Sequence, residues 1–264
     1  MLNTELLSLT NLFLAAAALA AGFIDAIAGG GGLIQVPALF AAKPDILPAT
    51  LLGTNKLASI GGTLLAAKRY LKSVKLPYNI LTTAIFASFA GSFLGAWVIK
   101  DVSVGLFKLF LPIILTALFI YTIRKPSIGH THLPRVNGPR PTLKALILGG
   151  GVGFYDGVFG PGTGSFLLMG FVSFFGFDFL HASAATKLVN ATTNLAAIIL
   201  FASFGHLNWP LGFVMMIMNM VGSFCGTNYA LKQGNQFVRR IFMGVVLALI
   251  IKTVYDAAIF IGFI

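Results

Sequence analysis

Two stretches of this sequence carry the same unusual pattern, an aspartate inside an apolar run followed at once by glycines. Gly22-Phe23-Ile24-Asp25 leads into Gly29-Gly30-Gly31-Gly32, and Gly153-Phe154-Tyr155-Asp156 leads into Gly160-Pro161-Gly162-Thr163-Gly164. The two lie 131 residues apart, from position 22 to position 153, close to half of the 264-residue chain. Four successive glycines do not sustain a helix, since each costs about 1 kcal/mol relative to alanine, and Pro161 removes a helix donor. Irregular backbone within an apolar run is tolerated only where protein or a water-filled cavity satisfies its polar groups. The pattern therefore predicts two discontinuous helices that line a shared cavity.

The charge supply makes that apolar setting a membrane. Only 9% of residues are charged, 57% are hydrophobic and the mean hydropathy is +0.91, whereas soluble domains carry about 25% charged residues. Several apolar runs reach the roughly 20 residues that cross a bilayer core as a helix, and the short alternating segments of a β-barrel are absent from the sequence. The expected fold is an all-α polytopic membrane protein. It has two homologous halves, each with a glycine-broken segment (re-entrant or discontinuous) plus about three spanning helices. Apolar runs fall near 6–28, 33–42, 49–67, 78–99 and 107–123, then again near 143–159, 165–175, 182–203, 211–230 and 241–264. The first repeat is thus 1–123, a hydrophilic linker spans 124–142, and the second repeat is 143–264.

The duplication runs beyond the breaks. At the same offset Lys56-Leu57 aligns with Lys187-Leu188, and Gly91-Ser92-Phe93 and Gly95 align with Gly222-Ser223-Phe224 and Gly226. Lysine and aspartate are scarce here, so their coincidence points to a repeat. Charge in the loops indicates how the halves are oriented. Placing Lys68, Arg69, Lys72, Lys75, the linker cluster and Lys232, Arg239 and Arg240 on the cytoplasmic side puts 12 of the 18 basic residues there. The basic loop 73–77 then aligns with the uncharged loop 207–210, which predicts an inverted repeat. The net charge of +11 is read as this positive-inside pattern, not as a nucleic-acid surface. The N-terminal segment lacks a basic stretch, so the first apolar run is expected to remain.

The residues able to act are few. A helix restarting after each break aims free N–H groups and a positive dipole end into the gap, which is an anion site made of backbone around Gly30, Gly31, Gly160 and Gly162. Lys56 and Lys187 lie several residues inside apolar spans. A lone lysine near a span end ordinarily runs its ammonium to the interface, but two at repeat-equivalent depths, each with an equivalent aspartate, point to a buried role. Asn55 adjoins Lys56, and Lys187, Asn190 and Asn194 share one helical face. For Asp25 and Asp156 two roles stay open: a Lys–Asp pair within each half, or an aspartate that carries a coupling proton. Cys225 is the only cysteine, and His130 and His132 in the linker are expected to be solvated, so neither a metal centre nor a cofactor is expected. The spans hold no nucleophile–base set, so an enzyme is not expected.

The broken segment at 22–32, the Gly53-Thr54-Asn55-Lys56 motif, the 153–164 break and the Thr186-Lys187…Asn190…Asn194 pattern resemble the TauE/SafE sulfite exporter family, over essentially the whole chain. The resemblance implies a multi-pass permease of a bacterial or archaeal inner membrane that moves a small anion. Members are implicated with sulfite, sulfoacetate, thiosulfate and other small organic anions. The branch that uses intramembrane cysteines for thiosulfate does not fit a chain with Cys225 alone. The expectation is an exporter of sulfite or an organosulfonate working by alternating access, with an anion channel or a carboxylate carrier as alternatives. The small anion and the lipid bilayer are the expected partners, a coupling proton and a homodimer partner are candidates, and nucleic acid is not expected.

Overall fold

The structure, a computed structural model, describes residues 8–99, 132–135, 137 and 139–260. The described elements are α-helices: α1 (Leu9–Ala28), α2 (Gly32–Ala42), α3 (Pro48–Leu71), α4 (Tyr78–Ile99), α5 (Pro139–Val158), α6 (Thr163–Phe175), α7 (Phe179–Ser203) and α8 (Trp209–Phe260). Helix α8 is broken at Gly234, whose φ of 74° and ψ of −167° leave the helical region. The span expected at 107–123 lies outside the described residues, as does most of the linker. Helix α5 begins inside the expected linker, because Pro139 and Pro141 occupy its first turn, where a missing N–H costs nothing. Leu9–Ala28, Tyr78–Ile99, Phe179–Ser203 and Trp209–Ala248 are long and apolar enough to cross a membrane.

Polarity is distributed as in a membrane bundle. Large apolar side chains such as Phe86, Leu94, Trp97, Ile147 and Ile217 point outward, while Gln35, Thr54, Lys56, Asp156, Thr186 and Lys187 are buried. In water this arrangement would be inside out; in lipid it satisfies both environments.

The halves exchange helices. Glycines let α4 lie directly against α5, Gly91 on Gly150 and Gly95 on Phe154. The repeat-equivalent positions make the same contacts between α8 and α1, Gly222 on Leu19 and Gly226 on Phe23. In both pairs the contacting residues advance together, so each pair runs parallel. Ser92 Oγ donates to Thr193 O at 2.8 Å, and its equivalent Ser223 donates to Gly62 O at 2.6 Å. A Cβ at Gly91 or Gly222 would overlap the neighbouring backbone, so these glycines serve close helix approach.

The two breaks lie where the halves meet. Helix α1 stops at Gly29, whose φ of 77° is left-handed, and its repeat equivalent Gly160 has φ 93°. The last carbonyls of α1 would be orphaned in a dry interior, and other helices supply donors to them. Tyr70 Oη of α3 donates to Ala26 O at 2.9 Å, Ser183 Oγ of α7 to Ile27 O at 3.4 Å, and Ser165 Oγ of α6 to Ala28 O at 3.1 Å. Gly29 and Gly164 touch backbone to backbone, in a space that admits no side chain on either.

Candidate functional site

Each lysine reaches across to the other half. Lys56 Nζ of α3 lies 2.6 Å from Asp156 Oδ1 of α5, with side-chain exposures of 3% and 2%. Lys187 Nζ of α7 lies 2.8 Å from Asp25 Oδ2 of α1 and also donates to the Asp25 carbonyl. A pair within each half, one of the two roles left open by the sequence, is therefore corrected to a crossed arrangement. The exchange of helices is the reason: α1 packs along α8 and α5 along α4, which carries Asp25 and Asp156 toward the lysine of the other half. Burial of a charge is tolerated only with its partner, so the crossed pairs join the halves.

The aspartates also organise the breaks. Asp156 Oδ1 accepts from Thr163 Oγ1 at 2.6 Å, and Thr163 donates to Gly160 O as well, at 2.7 Å. Asp25 Oδ1 accepts from the Gly31 N–H at 3.4 Å. Neither restarting helix has a side-chain cap: Gly31 precedes α2 and the left-handed Gly162 precedes α6.

Between the breaks is a cavity of about 20 Å³, room for about one water molecule. Asp25, Gly29, Gly32, Asn55, Lys56, Ser59, Asp156, Gly160, Thr163, Gly164, Asn190 and Asn194 line it. Seven of the residues singled out from sequence are thus brought together: Asp25, Asn55, Lys56, Asp156, Gly160, Asn190 and Asn194. Four are not on its wall. Lys187 is turned to Asp25, Gly30 faces Val245, Gly31 lies over Ala21 and Asp25, and Gly162 forms the left-handed start of α6. The backbone cradle consists of Gly29, Gly32, Gly160 and Gly164.

Sequence reasoning did not single out Gly29, Gly32, Ser59, Thr163 and Gly164. The repeat held the signal for Ser59, which is the equivalent of Asn190 at the same offset of 131. Thr163 lies within the quoted glycine run and matches Gly32. Four pairs of repeat-equivalent positions therefore face each other across one cavity: Asp25 and Asp156, Gly29 and Gly160, Gly32 and Thr163, and Ser59 and Asn190.

Three buried polar atoms of this wall have no hydrogen-bond partner among the described residues: Asn55 Oδ1, Asn194 Nδ2 and Asp156 Oδ2. Leaving a buried donor or acceptor unpaired costs about 1–3 kcal/mol, so three such atoms around one cavity set this wall apart from the packed interior.

A polytopic bundle with two facing backbone breaks and charges buried between them has the build of a membrane transporter. Residues 14–253 match the family described as sulfite exporter TauE/SafE, and the chain belongs to that family. It is similar to the "Probable membrane transporter protein YfcA" of Escherichia coli (strain K12), with 37% identity over 240 residues, 91% of this chain and 88% of that one. A "Probable membrane transporter protein" of Haemophilus influenzae is 37% identical over 236 residues, 89% of this chain and 91% of its own length. The "Probable membrane transporter protein ORF9" of a Sinorhizobium species is 38% identical over 244 residues, 92% of each chain. No solved structure matches the chain.

Proposed function

We propose that this chain is an inner-membrane permease that moves a small anion, sulfite or an organosulfonate, by alternating access around the cavity between its two breaks. The observation that carries the reading is the Lys56 ammonium in a cavity whose wall also holds the unpartnered donor Asn194 Nδ2, with the acceptors Asn55 Oδ1 and Asp156 Oδ2 left for water or a coupling proton. A tetrahedral or pyramidal oxyanion offers several acceptors to converge on the Lys56 ammonium and the asparagine amide N–H groups. Uncapped helix starts at the breaks add a favourable dipole.

The crossed pairs give the cycle its coupling. An arriving anion competes with Asp156 for the Lys56 ammonium. Once displaced, Asp156 retains Thr163 and gains a reason to take up a proton, since an unpaired buried carboxylate is costly. Anion and proton then occupy the site together, and the link that Lys56 makes between the halves is loosened. The cavity is too small for an oxyanion as it stands, so admitting one requires the breaks to part. The bare contact of Gly29 on Gly164 lets the breaks slide without side chains to interlock.

The helix directions support an inverted repeat. Helix α3 runs parallel to the start of α8, with Leu57 at Gly212 and Gly61 at Met216. Helices α3 and α4 are joined by residues 72–77, too short to recross a bilayer core of about 30 Å. Helix α4 thus opposes α3, while its repeat equivalent, the start of α8, follows α3.

A thermal-shift screen of the purified protein against sulfite, organosulfonates and carboxylates tests the reading. A stabilising shift by a sulfur oxyanion that disappears in Lys56→Ala supports it. A shift given by carboxylates alone replaces the substrate class, and a shift retained in Lys56→Ala places the site elsewhere.

A further inference from the structure

A second cluster of ligating side chains lies away from the cavity, where the linker meets the corner between α6 and α7. His132 belongs to the linker, Asp178 is the N-cap of α7 and His181 sits in its first turn. The linker is held there by backbone hydrogen bonds, Leu133 N–H to Gly176 O at 2.9 Å and Arg135 N–H to Phe175 O at 2.8 Å. These bring the His132 imidazole over that of His181, stacked with centroids 3.7 Å apart. Asp178 Oδ1 accepts from the backbone N–H of His181 at 2.8 Å and lies 2.8 Å from its Nδ1. His132 is therefore half-buried against a partner, where the sequence suggested solvent.

We propose that His132, His181 and Asp178 form a binding site for a divalent transition-metal ion of the zinc type, which fastens the linker to the α6–α7 corner. One ligand atom from each residue lies within 4.8 Å of the others. Tetrahedral zinc with bonds of about 2.0–2.1 Å sets its ligand atoms roughly 3.3 Å apart, so small rotations of the side chains close the site. Two imidazole nitrogens and one carboxylate favour zinc over magnesium or calcium.

Capping alone does not account for the cluster. Asp178 caps α7 without any help from His132, and His132 Nδ1 is buried with no hydrogen-bond partner among the described residues. His132 and Asp178 are in the forms that metal requires. Burial and the neighbouring His181 hold His132 below the usual imidazole value, which keeps it neutral. Burial pushes Asp178 up, but hydrogen bonds from His181 and Asn235 outweigh it and keep the carboxyl below its usual range. Asn235, just past the break in α8, also accepts from the Leu180 N–H at 2.9 Å. It supplies the outer support that oriented metal ligands ordinarily have.

The test is a zinc titration by calorimetry on the full chain in detergent, stripped with chelator and carrying no polyhistidine tag. Cobalt absorption reports the coordination. One equivalent of Zn2+ is expected, with a tetrahedral cobalt spectrum. His132→Ala and His181→Ala should abolish both, while His206→Ala leaves them intact. Asp178→Asn keeps the helix cap and should weaken binding by about 10–100-fold or more, the loss that removing even an outer partner brings. Unchanged melting of the metal-free variants separates a lost site from a lost fold. Absence of Zn2+ uptake by the unmodified chain, or uptake that survives in both histidine variants, overturns the proposal.

Discussion

Breaking one crossed pair and then restoring its charge balance tests the arrangement of the halves. Lys56→Met leaves Asp156 as a carboxylate with 2% exposure and no counter-ion. Removing one partner of a buried pair costs about 3–5 kcal/mol, whereas replacing both by neutral groups is often close to neutral. For a chain of this size each kcal/mol moves the melting temperature by about 2–4 °C, so Lys56→Met should melt on the order of 10 °C lower. Adding Asp156→Asn should recover most of that loss, while adding Asp25→Asn should deepen it by breaking the second pair. Lys187→Met should cost less, because Asp25 is 16% exposed and water shares its charge. Melting of the purified single and double variants in detergent, followed by tryptophan fluorescence, gives the cycle. Rescue of Lys56→Met by Asp25→Asn in place of Asp156→Asn would refute the crossed pairing.

Three further outcomes follow from the same geometry. Gly164→Ala places a methyl into the backbone of Gly29 and should reduce folded yield in the membrane severely; normal yield and transport would show that the breaks are not packed as described. Asn194→Ala removes the unpartnered buried Asn194 Nδ2, so stability should change little while the apparent KM for the transported anion increases about tenfold, the equivalent of one hydrogen bond of about 1.4 kcal/mol. In chelator, docking of residues 132–135 should weaken in acid. Because His132 is held below the usual 6.5, the unfolded form binds more protons, so the stabilisation is complete above that pH and is lost as pH falls through the depressed value. Hydrogen-exchange protection at Leu133 and Arg135, taken relative to the intrinsic rate at each pH, should fall on acidification in the native chain and lose that dependence in His132→Ala.

Much of the fold was legible because membranes restrict the options. Apolar runs located α4 at its observed bounds and α2, α3, α6 and α7 to within a few residues, and the glycine breaks fell where expected. The start of α5 was obscured by prolines that read as linker but occupy a helix's first turn. At the site, the residue types and the repeat pointed to Lys56, Asn190 and Asn194, since charge and amide groups in an apolar span need an interior. Partner choice was not legible. A sequence offset tells which residues are equivalent, yet whether Lys56 meets Asp25 or Asp156 depends on helices crossing between halves, a property of packing with no local signal. The same holds for His132, whose neighbour His181 is brought to it by backbone hydrogen bonds at Gly176 and Phe175.

Flux of labelled sulfite into proteoliposomes tests the central claim most directly, with the native chain compared against Lys56→Ala. Saturable uptake that rises with an imposed proton gradient and collapses in Lys56→Ala is the expected result. An ohmic current through a planar bilayer would instead mark a channel, and saturable uptake unchanged in Lys56→Ala would contradict a substrate site between the two breaks.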